Sequence, residues 1–317
     1  MRIRLDIRYD GSNFAGWAIQ PNLRTIQGEL EAALGKIFRT DPPRLIVAGR
    51  TDASVHARGQ VAHFDIASET WSSVVGQTRA GQPPRKPEAA LLSRLRGVLP
   101  ADLVVTGVQQ APVGFDARFS ALMRHYIYQI VDDVSHRDPL RRAEVLWHRR
   151  ALDVEKMNAA AGLLVGRHDF AAFCRPRPGA TTIRTLTTYQ WERSADGLAV
   201  ATVSADAFCH SMVRALVGAC IPVGEGKQSV EWPRELLRNK KRDAAVTVVP
   251  GHGLTLAGVD YPPDDELAAR ATQTRARRAA HDVDAYDTAT HDVETYDTAT
   301  HDVEPRETKG RDVAEEF

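Results

Sequence analysis

The chain has 317 residues, 43% of them hydrophobic and 26% charged, with 41 acidic side chains balanced by 41 Lys and Arg. That length predicts about two domains, with enough buried surface to fold without a covalent staple. No run of about 18 apolar residues occurs, and the start MRIRLDIRYD lacks a signal-peptide apolar segment, so a membrane or exported protein is not expected.

The zero net charge hides a split. Residues 263–317 carry 15 acidic and 7 basic side chains (net −8), leaving 26 acidic and 34 basic (net +8) on residues 1–262. A basic body suits a polyanion such as RNA, although many proteins that bind none share it. Cys174, Cys209 and Cys220 form no CxxC pair and are odd in number. They read as reduced thiols in the cytoplasm, with no disulfide frame and no zinc site.

Residues Arg2–Tyr9 alternate strictly, with Ile3, Leu5, Ile7 and Tyr9 on one face, and predict a half-buried strand. YDGSNFAGW (9–17) is a turn-rich connection. Ile26, Leu30, Leu34, Ile37 and Phe38 then recur at helical spacing, so 25–38 is a predicted amphipathic helix with Thr25 as N-cap. Next comes AGRTDASVHARGQVAHFD (48–65), a turn between an apolar run and a β-like run. A carboxylate there, Asp52, can serve as a nucleophile or base or as a turn-former bonding its own backbone; the residues alone favour the turn. Residues 71–87 are rich in Pro, Gly, Ser and Arg and read as a surface loop. Predicted helix 88–98 and strand 103–108 complete a first half of ferredoxin-like α+β type.

The second half begins near Pro112. GFDARFSALMRHYIYQIV (114–131) ends in a strand with Arg124, Tyr126, Tyr128 and Ile130 on one face, a pattern that ordinary sheet packing also explains. A helix is predicted over 154–165 with Asp153 as N-cap and Gly166 just past its end. His168 lacks partner ligands at usable spacing and reads as structural. A hairpin turning at Asp196-Gly197 joins strands 185–194 and 198–206. AFCHSMVRALVGACIPVG (207–224) predicts a helix with Arg214 in an apolar stretch, a place a guanidinium occupies only when paired. After Pro263 the character changes: HDVDAYDTAT, HDVETYDTAT and HDVEP are a ten-residue acidic repeat, so 263–317 reads as a low-complexity tail expected to be disordered.

Several of these stretches resemble the TruA family of tRNA pseudouridine synthases. GRTDASVHARGQVAHFD is similar to that family's active-site signature, as are YDGSNFAGWAIQP, GFDARFSALMRHYIY, GRHDFAAF, the MVR stretch around Arg214 and PGHGLTLAGVDYP (250–262). Together they span 1–262, with Ser54 and Ala57 where glycine is common. If that glycine uses positive φ, Ser54 is strained.

The resemblance implies an α+β fold of two ferredoxin-like halves, with largely antiparallel sheets packed around a central basic cleft, in domains 1–110 and 111–262. It implies conversion of uridine to pseudouridine at positions 38, 39 and 40 of the tRNA anticodon stem-loop, in the cytoplasm, by a homodimer. Asp52 would be the nucleophile, Arg214 its salt-bridge partner, and Tyr126 an active-site residue stacking near the uracil. Arg50 and Arg58 would contact RNA, with Leu254 near the uracil. The reaction breaks and remakes a base–sugar bond, so no cofactor and no metal are expected, in keeping with the lack of a P-loop or a GxGxxG turn. The rival expectations are a non-catalytic RNA-binding module and a synthase acting on another RNA.

Overall fold

The computed structural model describes residues 1–76, 85–176, 181–240 and 246–276. Its centre is one ten-stranded sheet with the order β4-β1-β3-β10-β5-β9-β8-β7, β2 pairing with β3 and β6 with β5. The first half supplies β1 (Arg2–Tyr9), helix α1 (Ile26–Phe38), β2 (Ile46–Val47), β3 (His56–Asp65), α2 (Ser68–Ser73), α3 (Pro87–Val98) and β4 (Leu103–Gln110). The second supplies β5 (Met123–Val131), β6 (Leu146–Trp147), α4 (Val154–Gly162), β7 (Gly166–Asp169), β8 (Ile183–Arg193), β9 (Ala199–Ala205), α5 (Met212–Gly224), α6 (Trp232–Asn239) and β10 (Leu254–Asp260).

Local chemistry explains most of these boundaries. The alternation of Arg2–Tyr9 becomes a strand whose odd residues are buried. Thr25 caps α1 by accepting from the Gly28 N–H, and Asp153 caps α4 by accepting from the Lys156 N–H at 3.0 Å. Gly197 takes φ +80° in the β8–β9 turn, where a side chain would be strained. The face of β5 predicted from its pattern is the buried one: Arg124, Tyr126, Tyr128 and Ile130 all lie inside.

The sheet is almost wholly antiparallel. The exceptions are β5–β6 and the join between halves, where β10 runs parallel to β3 through Thr255 opposite His56 and Leu256 opposite Ala57. This corrects the expectation of separate sheets around a cleft: β10, late in the chain, pairs with β5 on one side and β3 on the other and makes one surface.

Three further expectations are corrected. The 71–87 loop starts inside α2, because Trp71 is buried against Phe38; residues 77–84 lie outside the described residues. The helix drawn from Ala207 begins only at Met212, and 207–211 form the turn that leads into it. The tail does not begin at 263. Residues 264–266 form a turn of 3-10 helix and 267–276 a helix, α7, that buries Leu267 and Ala271. Arg275 of α7 meets Asp116 at 2.7 Å, where that carboxylate is 4% exposed. The acidic repeat itself, 281–305, lies outside the described residues.

Candidate active site

Asp52 lies in the connection from β2 to β3, and that connection is held from all sides. The Trp17 N–H donates to the Thr51 carbonyl at 3.0 Å and the Ser54 N–H to the Phe14 carbonyl at 3.3 Å. Thr51 Oγ1 bonds the Tyr9 hydroxyl at 2.8 Å, Gln60 donates to the Gly49 carbonyl, and Arg124 donates to the Ala48 carbonyl. Gly16, at φ +99°, passes so near that a Cβ there would sit 2.9 Å from the Thr51 oxygen. Ser54 has φ +61°, the left-handed conformation anticipated from the glycine of related sequences.

Opposite this loop stands the N-terminal end of α5. Arg214 Nη1 is 3.0 Å from Asp52 Oδ2, and Arg214 Nε donates to the Val249 carbonyl at 2.6 Å, which fixes the guanidinium between a carboxylate and a backbone oxygen. The Ser211 hydroxyl donates to Asp52 Oδ2 at 3.1 Å, and His210 Nε2 lies 3.4 Å from Oδ1. Asp52 and Arg214 keep 25% and 20% of their side-chain exposure, so the pair is sheltered yet reachable. Ser211 is the N-cap of α5 but makes no capping bond, because its hydroxyl serves Asp52. The carboxylate therefore also sits at the positive end of a 13-residue helix, worth typically 0.3–1 kcal/mol.

Tyr126 is 7% exposed and edge-on to Phe208, with ring centroids 5.1 Å apart. Burial, and then the nearby Tyr9 and Asp52, push its phenol well above the ordinary range despite the Arg124 charge, so it stays protonated at neutral pH. Burial likewise raises Tyr9 to about 12. Leu254 opens β10 opposite Tyr128, on the same sheet face as Tyr126 and Leu256. Its lead-in, the 3-10 turn Gly251–Gly253, packs against Ala53 of the Asp52 loop.

Of the residues singled out in the sequence, Asp52 and Arg214 are therefore in direct contact, with Tyr126 and Leu254 on strands beside their loop. Arg50 is exposed two residues before Asp52. Arg58 does not join the cluster; it is exposed and pairs with Glu144 at 3.2 Å. His210 and Ser211 were missed. Their signal was a serine directly before an apolar helical run, the mark of an N-cap. Among the described residues no group of three or more His, Cys, Asp or Glu could hold a metal.

The cysteine expectation is overturned. Cys174 and Cys209 form a disulfide, with Cα atoms 5.6 Å apart, next to His210. The two are 35 positions apart, and only the fold brings the turn after β7 beside the turn before α5. The Arg175 N–H ties the same turns together by donating to the His210 carbonyl. Cys220 is free and buried, its thiol raised to about 11 by burial.

The loop carrying Asp52 is thus locked to the Arg214 guanidinium of α5, with buried Tyr126 on the strand beside it. A family model described as tRNA pseudouridine synthase matches residues 160–262. The tRNA pseudouridine synthase A of Frankia casuarinae is 54% identical over 278 residues, 88% of this chain and 96% of the relative. Those of Streptomyces griseus and Leifsonia xyli are 52% and 51% identical, each over 87% of this chain and over 93% and 97% of the relatives. The chain belongs to the tRNA pseudouridine synthase A family.

Proposed function

We propose that this enzyme isomerises uridine to pseudouridine at positions 38, 39 and 40 of the tRNA anticodon stem-loop, with Asp52 as nucleophile. The observation that carries the reading is the 3.0 Å contact between Asp52 and Arg214, formed across the two halves. The reaction breaks the N1–C1′ bond, turns the base and rejoins it through C5, and a carboxylate is suited to attack such a centre. Arg214 favours the charged carboxylate and orients it, while Ser211 fixes one oxygen and leaves Oδ1 facing His210. Tyr126 offers its ring to the uracil, with Leu254 lining the site. Its hydroxyl is a donor rather than a base, since burial holds the proton on. Exposed Arg50 and Arg58 contact the RNA, Arg50 filling the space left by the flipped base.

We read the halves, 1–110 and 111–262, as two ferredoxin-like units. The orders β4-β1-β3-β2 and β10-β5-β9-β8 support this, being the same arrangement met twice. A cytoplasmic homodimer is the working form proposed.

The deciding experiment is Asp52→Asn, assayed on an unmodified tRNA transcript by nucleoside analysis. Binding is expected to stay within about twofold, since one uncharged isostere replaces one carboxylate, while pseudouridine formation disappears. Turnover by the variant would remove Asp52 from the role, and free uracil from the parent would identify a hydrolase.

A further inference from the structure

Away from the Asp52 loop, the far edge of the sheet holds a pocket of about 360 Å3 beside β7 and α6. Its floor is apolar, from Leu163, Val165 and Leu237, and its rim is basic, from Arg234, Arg238 and Lys240. Asp169 is the one acid on its wall, and that carboxylate is already engaged: Oδ1 accepts from Thr182 Oγ1 at 2.5 Å and from the Ala171 N–H at 3.1 Å. Lys240 reaches Asp169 Oδ2 only at 3.8 Å. His168 on the same wall bonds the Val165 carbonyl at 3.2 Å.

Arg234 and Arg238 are the unusual pair. They stand four residues apart on α6, so they share one face, and like charges at that spacing repel. Among the described residues neither has an ion-pair partner or a side-chain hydrogen bond. Cations in the last turn of a helix are favoured by its dipole, which accounts for Arg238 but not for Arg234 in the first turn. Two unpartnered guanidinium groups aimed at one recess are matched to a phosphodiester, whose oxygens accept their paired N–H groups.

One short stretch of described chain leads from the pocket towards the catalytic pair. From Asp169 the backbone runs through 171–173 to Cys174, bonded to Cys209 beside His210. An RNA with a uridine at Asp52 carries a phosphate at every nucleotide to either side, and a basic recess beyond the site can take one of them.

We propose that the Arg234–Arg238–Lys240 pocket is a second RNA-binding site, which holds backbone phosphate of the tRNA whose uridine reaches Asp52. This rests on the tRNA reading above.

The test is the double variant Arg234→Ala/Arg238→Ala, with Arg234→Lys/Arg238→Lys as the charge-keeping control; both positions are exposed, so folding is preserved. Full-length tRNA transcript is titrated at several salt concentrations and turnover is measured on the same transcript. The alanine pair should bind roughly three- to tenfold more weakly, with the slope of log K against log salt reduced by about one to two, since each phosphate no longer neutralised lowers it by about one. KM should rise while kcat stays within about twofold, and the lysine pair should recover most of the affinity. Unchanged affinity and slope, or a fall in kcat at constant KM, would overturn the proposal. If instead the parent protein neither binds nor modifies the transcript, it is the tRNA reading that fails.

Discussion

Ser54 occupies a backbone conformation that costs a residue with a Cβ of order 1–3 kcal/mol, two positions from Asp52. Ser54→Gly is expected to raise the denaturant midpoint by up to about 1 kcal/mol in stability without loss of turnover, because glycine reaches this φ freely but loses more chain entropy on folding. Arg214→Ala should lower kcat more than tenfold, since it leaves a sheltered carboxylate without its guanidinium; a variant within tenfold of the parent would argue against the pair. Tyr126→Phe separates ring from hydroxyl in the same assay, and an unchanged rate would leave stacking as the sole role. That Asp52 meets Arg214 was legible only through resemblance, because no spacing rule links side chains 162 positions apart. Arg58 shows the limit of that approach: its match to a motif foretold nothing of Glu144, 86 residues away.

Among the elements, β3 carries the clearest pH dependence. His63 is fully buried; its Nδ1 accepts from the Ala117 N–H, and its Nε2 has no partner. Burial first, and then the Arg2 charge, lower its pKa to about 4, so the folded protein holds a neutral ring where the unfolded chain titrates near 6.5. A depressed histidine contributes its full stability above the unfolded value and loses it as pH falls towards the folded one. Stability is therefore expected to drop by about 3 kcal/mol between pH 6.5 and 4. His63→Asn keeps an acceptor without the titration and should flatten that fall, measured as denaturant midpoint against pH. Element positions themselves were largely readable, since alternation in β1 and the Thr25 and Asp153 caps are local signals. The start of α5 was not, because Phe208 and Cys209 extend the apolar pattern while Ser211 leaves the helix to bond Asp52.

For the whole molecule, composition misled at the C-terminal side. Leu267 and Ala271 lie four apart and are both buried, Leu267 in a cluster with Phe115 and Ala117, yet the acids around them read as tail. A chain ended after residue 276 should keep the parent's unfolding midpoint, whereas one ended after 262 should lose about 3–5 kcal/mol, because it uncovers that cluster and strips buried Asp116 of Arg275. Equal midpoints for the two would show that α7 contributes nothing. The sheet order was beyond sequence for a related reason: β10 meets β3 through only two residue pairs, too brief a contact to leave a pattern.

That brief seam sets when a newborn chain becomes an enzyme. Until Leu254–Asp260 has left the ribosome, β3 and β5 both present open edges, and the carboxylate and its guanidinium belong to halves with no common strand. A translation product cut short before this point is expected to be inert towards tRNA and to associate through its exposed borders, so the catalytic pair closes only late in synthesis.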